Sequence, residues 1–247
     1  MLSACAGGSP VAEQPSPRPF SPAPSAAATA TPTPTPTVDA AGCRLHAKLP
    51  AGSVVSVIGD SYTTGERSKG GVGEKGWPAI LARRTGWTVF KDAQGASGYR
   101  SQGFTGKYYD GLVYKEQVAK LPAQRPDLVI VFGSSNDIGH LKEPGFDKDV
   151  AATLQAVRAA APEAYVVVAT TFWGYDDPPA ELLRIRDIQK QATADLGCAD
   201  FLDPIADAWI GQRYHFLIVP GDDHPTDAGH VRLADLWQRD LTRLGFL

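Results

Sequence analysis

The stretch SVVSVIGDSYTTG, residues 53–65, passes from an apolar run directly into a Gly-Asp-Ser turn. Its first six residues have the length and the β-branched composition of a strand that is buried on both faces. Gly59 follows that run and predicts a sharp turn at the strand end, because glycine adopts backbone angles that are closed to other residues. Ser61 then stands at the end of a strand, where it fits two roles: a nucleophile, or the N-cap of the next helix.

Four more apolar runs predict strands, and the amphipathic segments between them predict helices. The run DLVIVFG, 127–133, has the apolar composition of a central strand in a parallel sheet. The helix that begins near residue 112 is expected to end before Pro122. The predicted strands cover 53–58, 87–93, 127–133, 165–171 and 199–204, and the predicted helices cover 77–86, 112–121, 147–162, 180–197 and 226–245. This alternation predicts a three-layer α/β/α sandwich with a doubly wound parallel sheet of about five strands.

The first 41 residues differ in composition from the rest of the chain. Residues 6–41 are mainly Pro, Ala, Ser and Thr, and they cannot bury enough apolar area to offset the entropy lost on ordering. They are interpreted as a disordered linker before one folded domain, residues 42–247. Residues 2–5, LSAC, resemble the motif before the lipid-modified cysteine of bacterial lipoproteins. Residues 1–5 therefore predict the end of a signal peptide with lipidation at Cys5; the alternative is a chance cluster.

Charge and cysteine content narrow the function classes. The chain carries 24 Lys and Arg residues against 27 Asp and Glu residues, without a basic stripe, so nothing supports nucleic-acid binding. No apolar run has membrane-spanning length, and membrane contact is expected only through a lipid on Cys5. Cys43 and Cys198 precede the first and last predicted strands and match no zinc motif. In an exported protein they predict a disulfide bond; the alternative is two buried thiols.

Polar residues and glycines follow the predicted strands at the edge where a parallel sheet binds ligands. Ser61 follows the first strand, Gly98 the second and Asn136 the third, and His224 lies in the last long loop. Hydrolytic acyl transfer needs a hydroxyl nucleophile, a base, a group that orients the base, and donors for an oxyanion. Each of these residues alone has an ordinary structural explanation. Together, on one sheet edge, they predict a hydrolase site.

The four blocks around these residues resemble those of the SGNH hydrolases of the GDSL esterase/lipase family. The blocks are GDSY at 59–62, GASG at 95–98, SSND at 134–137 and DDHPTDAGH at 222–230, and the resemblance extends over about residues 54–240. It implies a flavodoxin-like fold, catalysis by Ser61 and His224, and no metal or organic cofactor. It also implies an oxyanion hole formed by the main-chain N–H groups of Ser61 and Gly98 and the side chain of Asn136.

Two positions depart from the family pattern. The leucine that the family has after Gly-Asp-Ser is Tyr62 here, a difference that is given little weight. The aspartate that the family has three residues before the histidine is Gly221, so Asp222 is preferred as the orienting carboxylate, with a main-chain carbonyl as the alternative. His230 has the family's literal Asp-x-x-His spacing, but the His-Pro pair favours His224 as the base.

Aromatic residues in the predicted loops suggest the type of substrate. Tyr62, Tyr99 and Trp173 are expected to contact it, and their rings suit stacking on a sugar. No long apolar lid is evident, which favours a short-chain ester, such as an O-acetyl group on a polysaccharide, over a lipid. We expect an exported monomer that acts on a small-molecule or polysaccharide ester. The alternatives are a lipase or thioesterase, an acyltransferase, and a non-catalytic surface-binding protein.

Overall fold

A parallel sheet of five strands runs through the part of the chain that the computed structural model describes, residues 43–65, 74–106, 109–175 and 177–247. The strands are β1 (Val54–Gly59), β2 (Thr88–Ala93), β3 (Thr105–Gly106), β4 (Tyr109–Asp110), β5 (Leu128–Gly133), β6 (Tyr165–Thr170) and β7 (Ala199–Leu202). The sheet has the order β2-β1-β5-β6-β7, and β3 pairs with β4 in a separate antiparallel hairpin. All described residues belong to one compact unit.

Helices cover both faces of the sheet. They are α1 (Ser61–Thr64), α2 (Trp77–Thr85), α3 (Tyr114–Gln117), α4 (Leu121–Gln124), α5 (Phe146–Ala160), α6 (Ala180–Leu196) and α7 (Asp227–Arg243), with 3-10 segments at Val118–Lys120, Ser135–His140 and Gln212–Leu217. On one face α2 packs on α7, and Trp77 stacks on Trp237 with ring centroids 5.0 Å apart. On the other face α5 packs between α3 and α6. The observed layers confirm the predicted three-layer sandwich.

The core lies in two layers because successive residues of a strand point to opposite faces of the sheet. In β5, Leu128 and Ile130 pack into the cluster that α2 and α7 cover. Val129 and Val131 pack into the cluster of α3, α5 and α6. All four side chains are fully buried, which explains why this strand is apolar without alternation.

The prediction of one continuous helix over 112–121 is wrong. The segment 112–121 was expected to form one helix that ends before Pro122, but the structure has α3, a 3-10 turn and α4, which continues to Gln124. Pro122 lies in the first turn of α4, where its missing N–H removes no helical hydrogen bond. The proline therefore starts a new helix where a stop was predicted.

The sheet order determines where a ligand site forms. Numbered along the chain, the five strands of the sheet lie in the order 2-1-3-4-5, which is the flavodoxin-like arrangement. The chain leaves β1 toward one side of the sheet and leaves β5 toward the other, so a crevice opens at the carboxyl ends of these two neighbours. Ser61 directly follows this end of β1 after Asp60, and Ser135–His140 follows this end of β5.

A disulfide bond joins Cys43 to Cys198 and closes a loop of 155 residues, as the sequence predicts. It ties the segment before β1 to the segment before β7. Among the described residues, the structure has no helix that combines the length and apolar character needed to span a membrane.

Replacing both cysteines with serine should lower the free energy of unfolding by up to about 5 kcal/mol, because the open chain gains entropy on unfolding. Urea denaturation followed by tryptophan fluorescence measures this change. Wild-type protein in reductant is the control and should resemble the Cys43→Ser/Cys198→Ser variant. Free thiols beyond that of Cys5 in denatured, unreduced wild-type protein would contradict the bond.

Candidate active site

Ser61 is the first residue of α1 and is only 6% exposed. The N-cap of this helix is Asp60, whose Oδ1 accepts the N–H of Tyr62 at 3.0 Å. Of the two roles that the sequence left open for Ser61, the capping role therefore belongs to its neighbour. Ser61 remains available as a nucleophile at the end of β1.

The carboxylate of Asp60 is fully buried and joins three parts of the fold. Its Oδ2 accepts the hydroxyl of Tyr114 at 3.2 Å and the N–H of Ser134 at 3.3 Å. Burial raises its pKa to about 7, because desolvation outweighs these hydrogen bonds. A Cβ atom on Gly133 would lie 2.3 Å from Oδ2, so a glycine is required where β5 passes this carboxylate. Asp60 thus fixes the end of β1 to the end of β5.

The loop that contains Gly98 is held by Asp137, a residue that the sequence analysis did not single out. The buried carboxylate of Asp137 accepts three successive main-chain N–H groups, those of Tyr99, Arg100 and Ser101 at 2.7, 3.0 and 2.9 Å. A Cβ atom on Gly98 would lie 2.3 Å from Oδ2 of Asp137. Gly98 is therefore required by the close approach of a carboxylate. The available sequence signal was the position of Asp137, directly after Asn136 in the third block.

The structure brings the predicted oxyanion donors Gly98 and Asn136 together through Ser97. Asn136 Nδ2 donates to the carbonyl oxygen of Ser97 at 2.9 Å, and an amide nitrogen has a second N–H that this bond does not use. The N–H of Gly98 donates to the carbonyl oxygen of Ser101 at 2.9 Å. To bind an oxyanion, Gly98 has to share or exchange that bond, and its role stays a prediction.

A short hairpin presents His224. Ile218 and Pro225 form an antiparallel bridge, and the N–H of Val219 donates to the carbonyl oxygen of His224 at 2.9 Å. Thr226 caps α7 directly after this hairpin, where its Oγ1 accepts the N–H of Gly229 at 3.1 Å. The cap places the start of α7 beside the histidine.

Two carboxylates contact Nδ1 of His224, and only one of them was preferred from the sequence. Asp222 Oδ1 forms a short contact with Nδ1, and Asp223 Oδ1 lies 2.9 Å from it. Asp222 Oδ1 also accepts the main-chain N–H groups of Asp223 and His224 at 2.8 and 3.1 Å. The ligand-type atoms of the three residues lie within 4.8 Å of one another, but a cation there would displace the proton of Nδ1. The group therefore suits orientation of the imidazole.

The charges of this group reinforce one another. Burial alone would lower the pKa of His224, but the hydrogen bonds and charges of Asp223 and Asp222 outweigh it and raise the pKa to about 9. Burial alone would raise the pKa of Asp222, but its hydrogen bonds with His224 lower it to about 2. The hydrogen bond with His224 also lowers the pKa of Asp223. The two carboxylates thus favour the imidazolium form of His224.

The structure buries two of the three predicted substrate contacts, Tyr62 and Tyr99, which argues against their contact with a sugar. Tyr99 is 3% exposed, packs against Tyr114 with ring centroids 5.1 Å apart, and belongs to the core. Tyr62 is also 3% exposed, so neither ring presents a face to a sugar. Both residues are adjacent to polar motif residues in the sequence, but their own rings fill the space under the loops. Trp173 is partly exposed beside Tyr175, with ring centroids 5.5 Å apart, and is the most exposed of the three.

His230 is fully buried in α7. The carboxylate of Asp227, three residues before it, lies 3.4 Å from the amine of Lys75. His230 therefore packs within the fold, and the role of His224 as the base stays a prediction.

A doubly wound sheet that carries Ser61, Gly98, Asn136 and His224 in the loops of one edge defines the class of SGNH hydrolases. The model of the GDSL-like Lipase/Acylhydrolase family matches residues 57–232, and the chain belongs to that family. It is 40% identical to the GDSL lipase Rv0518 of Mycobacterium tuberculosis over 191 residues, which are 73% of this chain and 78% of that protein. The predicted family is confirmed, and the chain is an SGNH-type hydrolase.

Solved structures share the fold. A family two carbohydrate esterase from Clostridium thermocellum, in complex with cellohexaose, matches with a TM-score of 0.58 and 18% identity over 82% of this chain and 67% of that chain. A family two carbohydrate esterase from Cellvibrio japonicus matches with a TM-score of 0.62 and 15% identity over 81% of this chain and 64% of that chain. At this level of identity, both likenesses support the architecture alone.

Substituting Gly98 with alanine should lower the free energy of unfolding by about 1 to 3 kcal/mol, because the new Cβ overlaps the carboxylate of Asp137. Gly139→Ala is the matched control, since a Cβ atom at Gly139 would meet nothing within 4 Å. Urea denaturation of the two variants and the wild type measures the difference. Equal stability of Gly98→Ala and Gly139→Ala would contradict the packing argument.

Proposed function

We propose that this hydrolase cleaves a short-chain acyl ester through an acyl-enzyme on Ser61, with His224 as the base. One observation carries the proposal. The ring of His224 lies edge-on to the ring of Tyr62, the residue next to Ser61, at 5.5 Å between centroids, while two carboxylates contact Nδ1. Ser61 and His224 thus share one end of the sheet, and the proposal assigns the proton exchange with the nucleophile to Nε2.

In the proposed reaction, Nε2 of neutral His224 accepts the proton of Ser61 as Oγ attacks the ester carbonyl carbon. The oxyanion accepts N–H groups from the main chain of Ser61, from Gly98 and from Asn136. The tetrahedral intermediate then expels the alcohol, which takes the proton from His224, and water repeats the attack on the acyl-enzyme. Asp222 orients the imidazole and stabilises its charged form.

Aromatic side chains beside the histidine hairpin support a sugar ester as the substrate class. The rings of Trp173, Tyr175 and His215 follow one another at 5.5 and 6.4 Å. The hydroxyl of Tyr175 donates to the carbonyl oxygen of Asp222 at 2.5 Å, which ties this aromatic group to the hairpin. Amphipathic rings of this kind offer both an apolar face and polar edges to a carbohydrate. Carbohydrate esterases share the fold, and we infer that an O-acetyl group on a polysaccharide is the target.

A lipase is the second candidate. The relative from Mycobacterium tuberculosis carries that name, and Phe216 and Phe104 are 72% and 58% exposed. Exposed phenyl rings of this size fit a longer acyl chain. The chain-length preference of the enzyme decides between the two candidates.

We further propose that the protein is exported, is anchored by a lipid on Cys5, and acts as a monomer without a cofactor. The disulfide bond supports export, because such bonds persist in oxidising compartments. A tether of linker residues 6–41 would suit an enzyme that works on a large extracellular substrate.

Ser61→Ala should abolish hydrolysis of p-nitrophenyl acetate, because the acyl-enzyme cannot form without Oγ. The measurement is the initial rate on p-nitrophenyl esters from acetate to palmitate, for wild type and variant. Highest activity on acetate supports the deacetylase, and highest activity on long chains supports the lipase. Wild-type rates equal to those of Ser61→Ala on every ester would contradict the proposal and favour the non-catalytic alternative.

The pH dependence of kcat/KM should also reflect the protonation of His224. Only the neutral imidazole accepts a proton, so kcat/KM should rise with pH through a limb centred near 9 and fall below it. The measurement is kcat/KM on p-nitrophenyl acetate from pH 6 to 10, with the Ser61→Ala rate subtracted as the background. A limb centred at the ordinary histidine value near 6.5 would contradict the proposed effect of the two carboxylates.

A further inference from the structure

The 3-10 segment Gln212–Leu217 places large side chains at the surface of the fold. Phe216 is 72% exposed, more than any other large apolar side chain among the described residues. Its ring lies 6.4 Å from the ring of Tyr214, measured between centroids. A single exposed apolar side chain is ordinary on a protein surface, so the significance of this ring depends on its neighbours.

Two arginines flank the same tyrosine. The guanidinium carbon of Arg232, in α7, lies 4.6 Å from the ring centroid of Tyr214, and that of Arg213 lies 5.9 Å from it. Within the described ranges, no carboxylate forms an ion pair with either arginine, and the buried Nε of Arg232 has no hydrogen-bond partner. The four residues Arg213, Tyr214, Phe216 and Arg232 form one surface, the Phe216 patch.

Other arginines of the fold differ from those of the Phe216 patch because carboxylates neutralise them. Arg84 pairs with Asp235 at 2.7 Å, and Arg239 pairs with Asp240 at 2.7 Å. Asp235 is the next carboxylate after Arg232 in α7, and it is held by an arginine outside the patch. The chain carries a formal net charge of -3, so a patch with two positive charges is a local exception. Both charges are available to an external anion.

We propose that the Phe216 patch docks the folded domain on the surface of a bilayer that contains anionic phospholipids. The guanidinium groups bind lipid phosphates, which accept paired N–H donors from arginine. The ring of Phe216 enters the boundary between headgroups and acyl chains, and the ring of Tyr214, with its hydroxyl, suits the same depth. The apolar contact and the attraction between opposite charges add to the strength of binding.

The chemistry of the patch favours a bilayer over two other occupants. A neutral polysaccharide offers no charge to Arg213 or Arg232. A second copy of the chain, packed patch to patch about a two-fold axis, would bring four arginines together, and like charges at an interface oppose association. An anionic bilayer supplies both the negative charge and the apolar layer that the patch lacks.

The Phe216 patch adjoins the candidate active site. Ile218 follows the 3-10 segment and donates its N–H to the carbonyl oxygen of His215 at 2.9 Å. Ile218 also forms the bridge with Pro225, the residue next to His224. Docking therefore brings the histidine hairpin close to the bilayer. The proposed lipid on Cys5 would hold the chain at a membrane, and the patch would determine which face of the domain meets it.

The test is sedimentation of the full-length chain, produced without lipid modification, with vesicles. We expect binding to vesicles of phosphatidylglycerol and phosphatidylcholine, and binding that is weaker by about tenfold or more on phosphatidylcholine alone or at high salt. Arg213→Gln should weaken binding to the mixed vesicles about fivefold, since one arginine near an anionic surface contributes about that factor. Phe216→Ala should weaken it about tenfold through the lost apolar contact.

Two variants elsewhere on the fold are the matched controls. Phe90→Ala removes an exposed ring from β2, at the edge of the sheet. Arg125→Gln removes an exposed arginine that precedes β5, at the opposite end of the sheet from the histidine hairpin. Both should bind the mixed vesicles as the wild type does. Because Arg213 and Phe216 are exposed, their substitution should leave the fold intact, and near-UV circular dichroism checks this.

Absence of wild-type binding to the mixed vesicles would overturn the proposal, as would equal binding of Arg213→Gln, Phe216→Ala and the wild type, or an equal loss in the controls. A wild-type dimer that Phe216→Ala dissociates in sedimentation velocity, without vesicle binding, would assign the patch to self-association and reject the bilayer. Vesicle binding needs no catalysis, so Ser61→Ala should bind as the wild type does. A lack of esterase activity would reject the proposed function and retain the docking surface.

Discussion

The buried carboxylate of Asp137 is the interaction on which the geometry of the site depends. It accepts hydrogen bonds from three successive main-chain N–H groups of the loop after β2. A hydrogen bond to a charged acceptor contributes about 1.5–3 kcal/mol to stability. The loop is thereby fixed against the end of β5, and Gly98 has no room for a side chain. Since Asn136 precedes Asp137, the same anchor sets the distance between the Asn136 amide and the carbonyl of Ser97.

The carboxylate of Asp60 also holds the end of β5, where the backbone of Ser134 is strained. Ser134 has φ +93, a left-handed conformation that is rare for serine. Its N–H donates to Asp60 at 3.3 Å and its hydroxyl donates to Asp137 at 2.8 Å, so both carboxylates hold the strained residue. The left-handed conformation of Ser134 turns the chain out of β5 and directs Ser135 and Asn136 over the end of the sheet. Strained backbone persists where its surroundings determine it, and here the surroundings are two buried acids.

The sequence predicts the parts of this protein that depend on short-range patterns. Apolar runs identify the strands, as 127–133 does for Leu128–Gly133, and the predicted helix 226–245 corresponds to α7, Asp227–Arg243. Four motif blocks identify Ser61, Gly98, Asn136 and His224 and bring them to one edge. The predictions of strands and fold succeed because period and turn chemistry are encoded within a few residues, whereas the catalytic roles of the four residues stay predictions.

The sequence does not predict contacts between residues that are far apart in the chain. Asp137 meets Tyr99 across 38 positions, and nothing local to either residue indicates that contact. Tyr62 and Tyr99 look like exposed loop aromatics, but the rings that bury them come from β6–α6 and α5. Burial and partner choice are properties of the packed fold, and these are the points at which the predictions are wrong or incomplete.

The paired carboxylates around His224 favour one state of the base over the other. In the proposed reaction, proton transfer from Ser61 creates an imidazolium, and two negative charges at Nδ1 would stabilise that charged state. The same charges also favour the protonated form of His224 before the reaction, because they raise its pKa. Such an arrangement lowers the fraction of enzyme with a neutral His224, while it stabilises the charged intermediate. That fraction increases as the pH rises.

An ester substrate that brings no charge of its own would leave the pKa of His224 unchanged on binding. An anionic substrate would protonate the base further. The electrostatics of the site therefore favour neutral esters, in agreement with a sugar acetate and against a substrate with a carboxylate or phosphate near the scissile bond.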